Sequence, residues 1–536
     1  MPGDRQRDRA RCVLCSPGAR LTRARMHDYG FLSVVPPLLT IAVAIYSRNV
    51  IVALVVGILS GSMILTGYNP FNALLNSIED QVLQEIASGS QVQVILAIMI
   101  IGGFVNMLEQ SGGARAFAGT MTRLISSGAK AQVLAWLSGL AIFFTDSGNA
   151  LIIGPLYRSV FDQFRLCREK LAYILDTTAS PISILIPFIG WGAYIMSLIE
   201  ASYGELGLTE NAFSVLLNVL PYQFYAFLAL LTVPIVIWTR RDYGPMRRVQ
   251  AQYLADLENE PNDVANATPV EASTTSDDRL EIFLYPLGVM LLLVGGLITW
   301  HWNHDGITGV HIRSTLAISY LSASLTCAIM MQRYKSVTYT ESLGIFIKGA
   351  EKLVYISIIL VLAWSLNSVT DDLHTADYLA SIISDTVSPA YFPMIVFVLG
   401  ALTSLSTGSS YGTFAILLPI AIPVGVDLDA SMYLTIAAVL SGGLMGDHAS
   451  PISDTTVLAS VGADCNHLSH VTTQGAYAVL TGMVTLLAYW MAGMYETPYV
   501  LFIAMIVLLA SMTLAMRIFG EEVTPASVHA SLSRRK

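Results

Sequence analysis

Four carboxylic acids lie inside long apolar stretches of this chain, where a charged side chain is costly. They are Asp146, Asp176, Asp447 and Asp454, and His448 directly follows the third of them. A charge at the centre of a bilayer costs roughly 2.5–3.5 kcal/mol, so we expect these groups to face an aqueous cavity, a bound cation or one another. Carboxylate and hydroxyl oxygens are the ligands that hard cations prefer. The pattern therefore predicts an ion site at membrane depth, although a buried structural pair, or helix capping by Asp176, is the alternative.

Hydroxyl side chains surround these acids along the sequence and supply further oxygen atoms. Any one of them taken alone is explained equally well by helix packing or by a hydrogen bond to its own helix. Their density beside the acids favours ion binding. The set comprises Ser147, Thr177, Ser180, Ser183, Thr407, Ser409, Ser410, Thr413, Ser450, Ser453 and Thr455.

Two kinds of backbone interruption recur in both halves of the chain. The pentapeptide Ala-Ser-Pro-Ile-Ser occupies residues 179–183 and again 449–453. Each copy follows a second polar interruption, at 145–149 and at 406–412. Proline frees the carbonyl four residues earlier, and irregular backbone at that depth persists only where protein or a water-filled cavity satisfies it. The repetition predicts two structural repeats that each contribute a broken helix to a shared site.

The composition is that of a polytopic membrane protein. Hydrophobic residues make up 54% of the chain and charged residues 12%, and the mean hydropathy is +0.60. At least about ten apolar stretches reach the roughly 20 helical residues that cross a bilayer. The cysteines are scattered and odd in number, which argues against a disulfide framework.

The distribution of lysine and arginine predicts the orientation, because these residues stay on the cytoplasmic side of short loops. The basic regions 158–170 and 240–248 are placed inside, and the acidic loop 371–390 outside. Segments 131–157 and 391–426 then begin and end on the same side, which makes each a re-entrant helical hairpin. We predict an all-α polytopic membrane protein, with about 11 transmembrane spans plus two re-entrant helical hairpins in two inverted repeats.

The predicted boundaries follow from this topology. In chain order they are an N-terminal tail (1–28), a first transmembrane repeat (29–238), a cytoplasmic disordered linker (239–280), a second inverted repeat (281–494), an extra span (495–517) and a cytoplasmic tail (518–536). The N-terminus falls outside, yet residues 1–25 hold seven arginines and no apolar core of a signal peptide. We therefore expect translation to start at Met26, an error in the topology near the N-terminus being the alternative. The expected location is the cell (inner) membrane.

Three motifs resemble the NhaC family of sodium/proton antiporters, within the ion-transporter superfamily. They are Phe-Thr-Asp-Ser-Gly-Asn at 144–149, Thr-Gly-Ser-Ser-Tyr-Gly-Thr at 407–413 and Gly-Asp-His-Ala-Ser-Pro-Ile-Ser-Asp-Thr-Thr at 446–456. The resemblance extends over most of 29–516. It implies a cation-coupled secondary carrier whose activity is sodium/proton exchange. Members that exchange malate and protons for sodium and lactate, or export tetracycline, make those activities the alternatives.

The expected mechanism is competition between a sodium ion and a proton for the same carboxylates, combined with alternating access. The predicted ion-binding residues are Asp146, Ser147, Asn149, Ser180, Thr407, Ser409, Asp447, Ser450 and Asp454, with sodium itself on Asp146, Asn149, Asp447 and Asp454. Proton coupling is assigned to Asp146, Asp447 and His448. For His448 the alternative is a purely structural hydrogen bond.

Other classes fit the sequence less well. An intramembrane aspartyl protease needs Gly-x-Gly-Asp, and Leu444 stands where its first glycine would be. A channel is expected to form a ring of repeated pore segments rather than an inverted pair. No lysine or arginine falls in the middle of a predicted span, which favours a small cation over an organic anion. We expect no enzyme activity, no cofactor beyond the transported sodium ion and proton, and no nucleic acid. Membrane lipid and the small cation or organic substrate are the expected partners, and a homodimer is left open.

Overall fold

The computed structural model describes residues 29–259, 279–304, 306–383 and 387–520, and most of these residues are helical. The helices up to residue 259 are α1 (Val35–Ser47), α2 (Val50–Leu65), α3 (Pro70–Asn76), α4 (Gln84–Ala87), α5 (Gly89–Gln110), α6 (Gly113–Thr122), α7 (Gly128–Ala141), α8 (Asp146–Gln163), α9 (Arg168–Thr177), α10 (Ser180–Ser183), α11 (Gly190–Glu205), α12 (Ala212–Val219), α13 (Phe224–Thr239) and α14 (Gly244–Asn259). Those that follow are α15 (Glu281–His304), α16 (Gly309–Lys335), α17 (Tyr339–Lys352), α18 (Val354–Asp372), α19 (Thr375–Ile383), α20 (Phe392–Thr407), α21 (Ser410–Asp427), α22 (Met432–Ala449), α23 (Asp454–Ala463), α24 (His467–Tyr495) and α25 (Val500–Ile518).

The lengths and composition of these helices fit a multi-pass membrane protein. Within the described residues, nine helices are long and apolar enough to cross a bilayer, and the number reaches 11 if two bent pairs each count as one span. One bent pair joins α2 to residues 70–87 at 118°, and the other joins residues 212–222 to α13 at 45°. The prediction of an all-α polytopic membrane protein is confirmed.

Each half of the chain contains a helical hairpin followed by a broken helix. The first hairpin consists of α7 and α8, and its tip is capped by Thr145, whose hydroxyl accepts from the Gly148 N–H at 2.9 Å. The second consists of α20 and α21, and its tip turns at Gly408 (φ +65°) before Ser409 caps α21 in the same way. The first pentapeptide separates α9 from α11, and the second separates α22 from α23. The predicted interruptions therefore form both tips and both breaks.

The two halves of the chain pack against each other through the second arms of their hairpins. The second arm of the first hairpin, α8, packs against α23, and the second arm of the second hairpin, α21, packs against α11. At the first crossing the backbones nearly touch, since a Cβ atom on Gly154 would lie 2.3 Å from the carbonyl oxygen of Gly462. Arg158 stabilises the same crossing, because its guanidinium donates hydrogen bonds to the carbonyls of Gly462 (2.7 Å) and Val461 (2.6 Å). Neither half is packed independently of the other.

Gly154→Val is expected to destabilise the protein, because the new side chain must push α8 away from α23. Overpacking of this kind costs typically about 1–3 kcal/mol. The measurement is thermal unfolding of the purified protein in detergent. Gly296→Val is the matched control, since a Cβ at that position in α15 meets no atom within 4 Å. Equal melting temperatures for the two variants would contradict the close crossing.

One predicted boundary, that of the linker, needs correction. Residues 244–259, predicted to be part of a disordered linker, form α14, which packs against α24. Two hydrogen bonds hold this helix: Tyr243, just before its first residue, donates to the Ala476 carbonyl (3.0 Å), and Gln250, in its middle, donates to the Arg165 carbonyl (2.9 Å). Within the second repeat, α17 and α18 together form one apolar stretch, Tyr339–Asp372. The predicted tail 1–28, the linker residues 260–278 and residues 521–536 of the C-terminal tail lie outside the described residues.

Candidate functional site

Both hairpin tips and both helix breaks border one cavity of 360 Å³. Of the predicted ion-binding residues, six line it: Asp146, Ser147, Ser180, Ser409, Asp447 and Asp454. Two of its acids, Asp447 and Asp454, come from the second half of the chain, whereas Asp146 comes from the first. The structure therefore brings together the acids of the two halves, which is the arrangement that the repeated motifs predict.

Asp146 is held at the first tip by donors on each of its oxygens. Its Oδ1 accepts from the Ser147 N–H (2.6 Å) and hydroxyl (3.0 Å), and its Oδ2 accepts from the Trp191 indole N–H (3.1 Å). Trp191 stands at the start of α11, immediately after the first break. The carboxylate is thus oriented by both the hairpin and the broken helix of its own half.

Trp191 also joins the first tip to the second. Its ring lies 4.6 Å from the ring of Tyr411, centroid to centroid, and Tyr194 donates to the Tyr411 carbonyl oxygen at 2.9 Å. On the far side of the second tip, a Cβ on Gly408 would lie 2.7 Å from the Ile452 carbonyl oxygen in the second break. These contacts connect the tips and breaks of both halves around the cavity.

Asp447 is the most enclosed acid of the cavity, with 5% of its surface exposed. Its carboxylate interacts with the hydroxyls of Ser410 and Ser453, and it interacts electrostatically with the negative charges of Asp146 and Asp176. Like charges held this close in a partly apolar space repel one another, and a cation or a proton relieves that repulsion. The electrostatics of the cavity therefore favour positively charged occupants.

Ser180 supplies an oxygen that has nothing to bind within the described residues. Its side chain is 3% exposed and lines the cavity, yet its hydroxyl has no hydrogen-bond partner there. Buried hydroxyls are normally paired, because an unpaired one costs about 1–3 kcal/mol. A water molecule or a bound cation would satisfy it.

The other predicted site residues do not line the cavity. Asn149 is fully buried and donates to the carbonyls of Gly139 (3.1 Å) and Thr178 (2.8 Å), which ties the first tip to the first break. The hydroxyl of Thr407 donates to its own helix, and that of Ser450 to the Leu405 carbonyl (2.9 Å).

His448 likewise lies behind the cavity wall. Its ring is paired at both nitrogens, with the hydroxyls of Thr177 (3.2 Å) and Tyr225 (2.9 Å). The contacts match the structural alternative considered from the sequence. Asp176 is also buried away from the cavity and accepts from Thr456 (2.9 Å) and Gln474 (2.5 Å).

Three polar residues of the cavity were missed by the sequence analysis. Glu109 accepts from the Thr145 hydroxyl at 2.8 Å and is the fourth carboxylate of the cavity, beside the first tip. The Lys352 ammonium lies 3.6 Å from the Glu109 carboxylate and donates to Asn106 at 2.7 Å. Lys352 is the one basic residue among the described residues that line the cavity. No lysine or arginine was expected in the middle of a span, whereas the apolar stretch Tyr339–Asp372 extends to both sides of Lys352.

Lys352→Met is expected to preserve exchange and to lower the apparent KM for sodium by about twofold to fivefold, because the substitution removes a positive charge that repels a cation in the cavity. Sodium dependence of proton flux in proteoliposomes measures it. Lys348→Met is the control, since Lys348 is exposed one turn earlier on α17 and does not line the cavity. Loss of exchange in Lys352→Met alone would mean that the ammonium group binds the substrate.

Paired hairpins, broken helices and a shared acidic cavity define a secondary transporter of the membrane. Residues 184–494 match the model of the "Na+/H+ antiporter family". The chain belongs to this family, and the resemblance to its NhaC members is confirmed.

Individual proteins and one solved structure are also similar to this chain. A protein of uncharacterised function from Haemophilus influenzae is 30% identical over 478 residues, covering 86% of this chain and 90% of its own. The malate-2H(+)/Na(+)-lactate antiporter of Bacillus subtilis is 30% identical over 107 residues, which are 20% of this chain and 23% of that protein. The fold resembles that of the YdaH transporter of Alcanivorax borkumensis, with a TM-score of 0.53 at 15% identity over 80% of this chain and 90% of that one.

Proposed function

We propose that this protein exchanges sodium, or a similar monovalent cation, for protons across the cell membrane by alternating access. The observation that carries the proposal is the cavity in which Asp146, Asp447 and Asp454 meet, with the unpaired hydroxyl of Ser180 beside them. A hard cation takes such oxygen ligands. Membership of the Na+/H+ antiporter family supports the same activity.

The coupling follows from the shortage of positive charge in the cavity. Four carboxylates, Asp146, Asp447, Asp454 and Glu109, face a single lysine among the described lining residues. A sodium ion or a proton can offset the excess negative charge, and binding of one weakens binding of the other. Ser180 and Ser409 would serve as oxygen ligands, and Asp146 and Asp447 would exchange the proton. Asn149, Thr407, Ser450 and His448 would act indirectly, by holding the tips against the breaks.

Alternating access would come from the movement of the hairpins and broken helices against the remaining helices. The basic loops support an orientation with 158–170 and 240–248 in the cytoplasm and 201–221 outside. Labelling of single introduced cysteines from outside the cell tests it. Modification within 250–258 and none within 206–211 would contradict this orientation.

An organic-anion exchanger on the same scaffold is the second candidate. Lys352 provides a positive charge in the cavity, and one relative is named as a malate-2H(+)/Na(+)-lactate antiporter. The two candidates are separated by transport in everted vesicles with sodium, lithium, potassium, malate and lactate compared side by side. Proton flux driven by sodium alone supports the first candidate, whereas flux that requires malate or lactate supports the second.

A further inference from the structure

A second group of titratable side chains lies away from the cavity, where α24 begins. Ser460 near the end of α23 contacts two imidazole rings with one oxygen atom. Its Oγ lies 3.1 Å from Nδ1 of His467 and 2.8 Å from Nδ1 of His470. His470 and Ser460 are buried, while His467 is half-buried and open to the surface. We call His467 and His470, bridged by Ser460, the histidine pair.

The outer nitrogen of each ring faces an atom that can only accept a hydrogen bond. Nε2 of His467 lies 2.6 Å from the carbonyl oxygen of Pro451, inside the second helix break. Nε2 of His470 lies 2.9 Å from Oε1 of Gln474. The amide orientation of Gln474 is fixed, because its nitrogen donates to a carboxylate oxygen of Asp176 (2.5 Å) and to the His448 carbonyl (2.7 Å). Both outer nitrogens therefore carry a hydrogen.

The two contacts between the Ser460 oxygen and the inner nitrogens, Nδ1 of each ring, then lack hydrogens. Besides its two histidine contacts, the Ser460 hydroxyl donates to the Thr456 carbonyl at 2.9 Å. Together the five contacts of this group need five hydrogens, whereas two neutral imidazoles and one hydroxyl provide three. A nitrogen lone pair that faces the serine oxygen without a hydrogen is unfavourable in a buried place. Each proton that the pair takes up completes one contact.

The surroundings can balance the charge of such a proton. His470 interacts electrostatically with Asp176, His448 and His467. Asp176 in turn interacts with Asp447 in the cavity wall. The remaining charged or titratable neighbours lie around the ends of α9, α23 and α24: Glu169, which accepts from Ser469, the Arg168–Asp464 ion pair, and Cys465. A positive charge on the histidine pair is therefore balanced by the neighbouring carboxylates, and it also changes the electrostatic potential at the cavity.

We propose that the histidine pair is a proton-binding site, separate from the cation cavity, whose occupancy controls exchange as pH changes. The proposal rests on the proposed sodium/proton exchange. Protons enter at the half-buried ring of His467, whose Nδ1 faces the oxygen of Ser460 at 3.1 Å. A positively charged pair repels the cation from the cavity and strengthens the contact of His467 with the break at Pro451. Acidification then slows exchange more steeply than competition in the cavity alone.

The transport test compares variants of the full chain in proteoliposomes, as sodium-dependent proton flux from about pH 5.5 to 9. His470→Gln should retain more activity on the acid side, with the profile displaced to lower pH by about threefold to tenfold in proton concentration and with a shallower slope. Ser460→Ala keeps both rings and should give a smaller displacement in the same direction. The control is His304→Gln, an exposed histidine at the end of α15, which should match wild type.

A second readout does not depend on transport. In sodium-free detergent, with histidine labelled for NMR, the rings of the pair should titrate in two coupled steps in wild type and independently in Ser460→Ala. Coupled steps together with wild-type protein that moves no sodium would keep the proton site and overturn the proposed function. Independent titration in wild type, or superimposable flux profiles of an active wild type and both variants, would overturn the histidine pair and leave the exchange standing.

Discussion

Asp447→Asn is expected to lower sodium-dependent proton flux by about 100-fold, because it removes the negative charge and the titratable group of the most enclosed acid in the cavity. Asparagine keeps the size of the side chain and can still accept hydrogen bonds through its amide oxygen. It can no longer titrate. The expected result is therefore a folded, inserted protein that neither binds sodium well nor exchanges it for a proton.

The measurement is proton flux per molecule of purified protein in liposomes, together with its melting temperature. Asp377→Asn is the control, because this carboxylate is exposed beside His374 and does not line the cavity. It should leave flux unchanged. Wild-type flux in Asp447→Asn, with expression reduced or not, would show that this aspartate is only structural.

Asp146→Asn is expected to have the second largest effect, raising the apparent KM for sodium by about tenfold or more and depressing the maximal flux. Ser147 donates to Oδ1 and Trp191 to Oδ2, so an amide whose oxygen keeps the Ser147 bonds loses the Trp191 bond. The loss of exchange would then come from the missing charge together with that one hydrogen bond. The control is Asp80→Asn, an exposed acid outside the cavity.

Combining the two substitutions separates two possibilities for the cavity. If Asp146 and Asp447 act on the same ion, the double variant should be little worse than Asp447→Asn, because residues acting as a unit are not additive. Losses that multiply would indicate two independent ions. Sodium binding measured by calorimetry on the same proteins distinguishes these results without relying on flux.

The interruptions of the helices could be predicted from the sequence because their causes are local. Pro181 and Pro451 break their helices wherever the helices lie, and Gly408 turns the second tip with a left-handed backbone. The polar interruptions at 145–149 and 406–412 identified both tips. These local rules do not predict how the tips pack against each other. That packing depends on Trp191 and Tyr411, which are more than 200 residues apart in sequence.

Which side chains enter the cavity was harder to predict, because the rotation of each helix is set by its neighbours. Asn149 is only three residues from Asp146 along α8, yet it faces the first break and not the cavity. Ser450 faces α20 in the same way. The sequence shows that a hydroxyl or an amide lies near a helix break. It does not show whether that side chain faces the cavity or the helices behind it.

Glu109 and Lys352 were missed for a different reason. Each stands near one end of an apolar stretch as read from the sequence, where charged residues usually mark the membrane surface. The structure places both at the first tip because α5 reaches the cavity with its last turn, and because α17 and α18 form one apolar stretch. An extended hydropathy window from 339 to 372 would have revealed Lys352 near its middle.

The crossing of α8 with α23 also sets an order of events during synthesis. Arg158 bonds to a carbonyl 303 residues later in the chain. Ribosomes add about 5–20 residues per second, so α8 exists for roughly 15–60 s before its partner is made. Throughout that interval the polar tip at Thr145 and Asp146 has no second half to rest against. The nascent first half must therefore be bound by chaperones of the membrane insertion machinery or remain near the membrane surface. Truncated chains that end before α23 should be good substrates for membrane proteases.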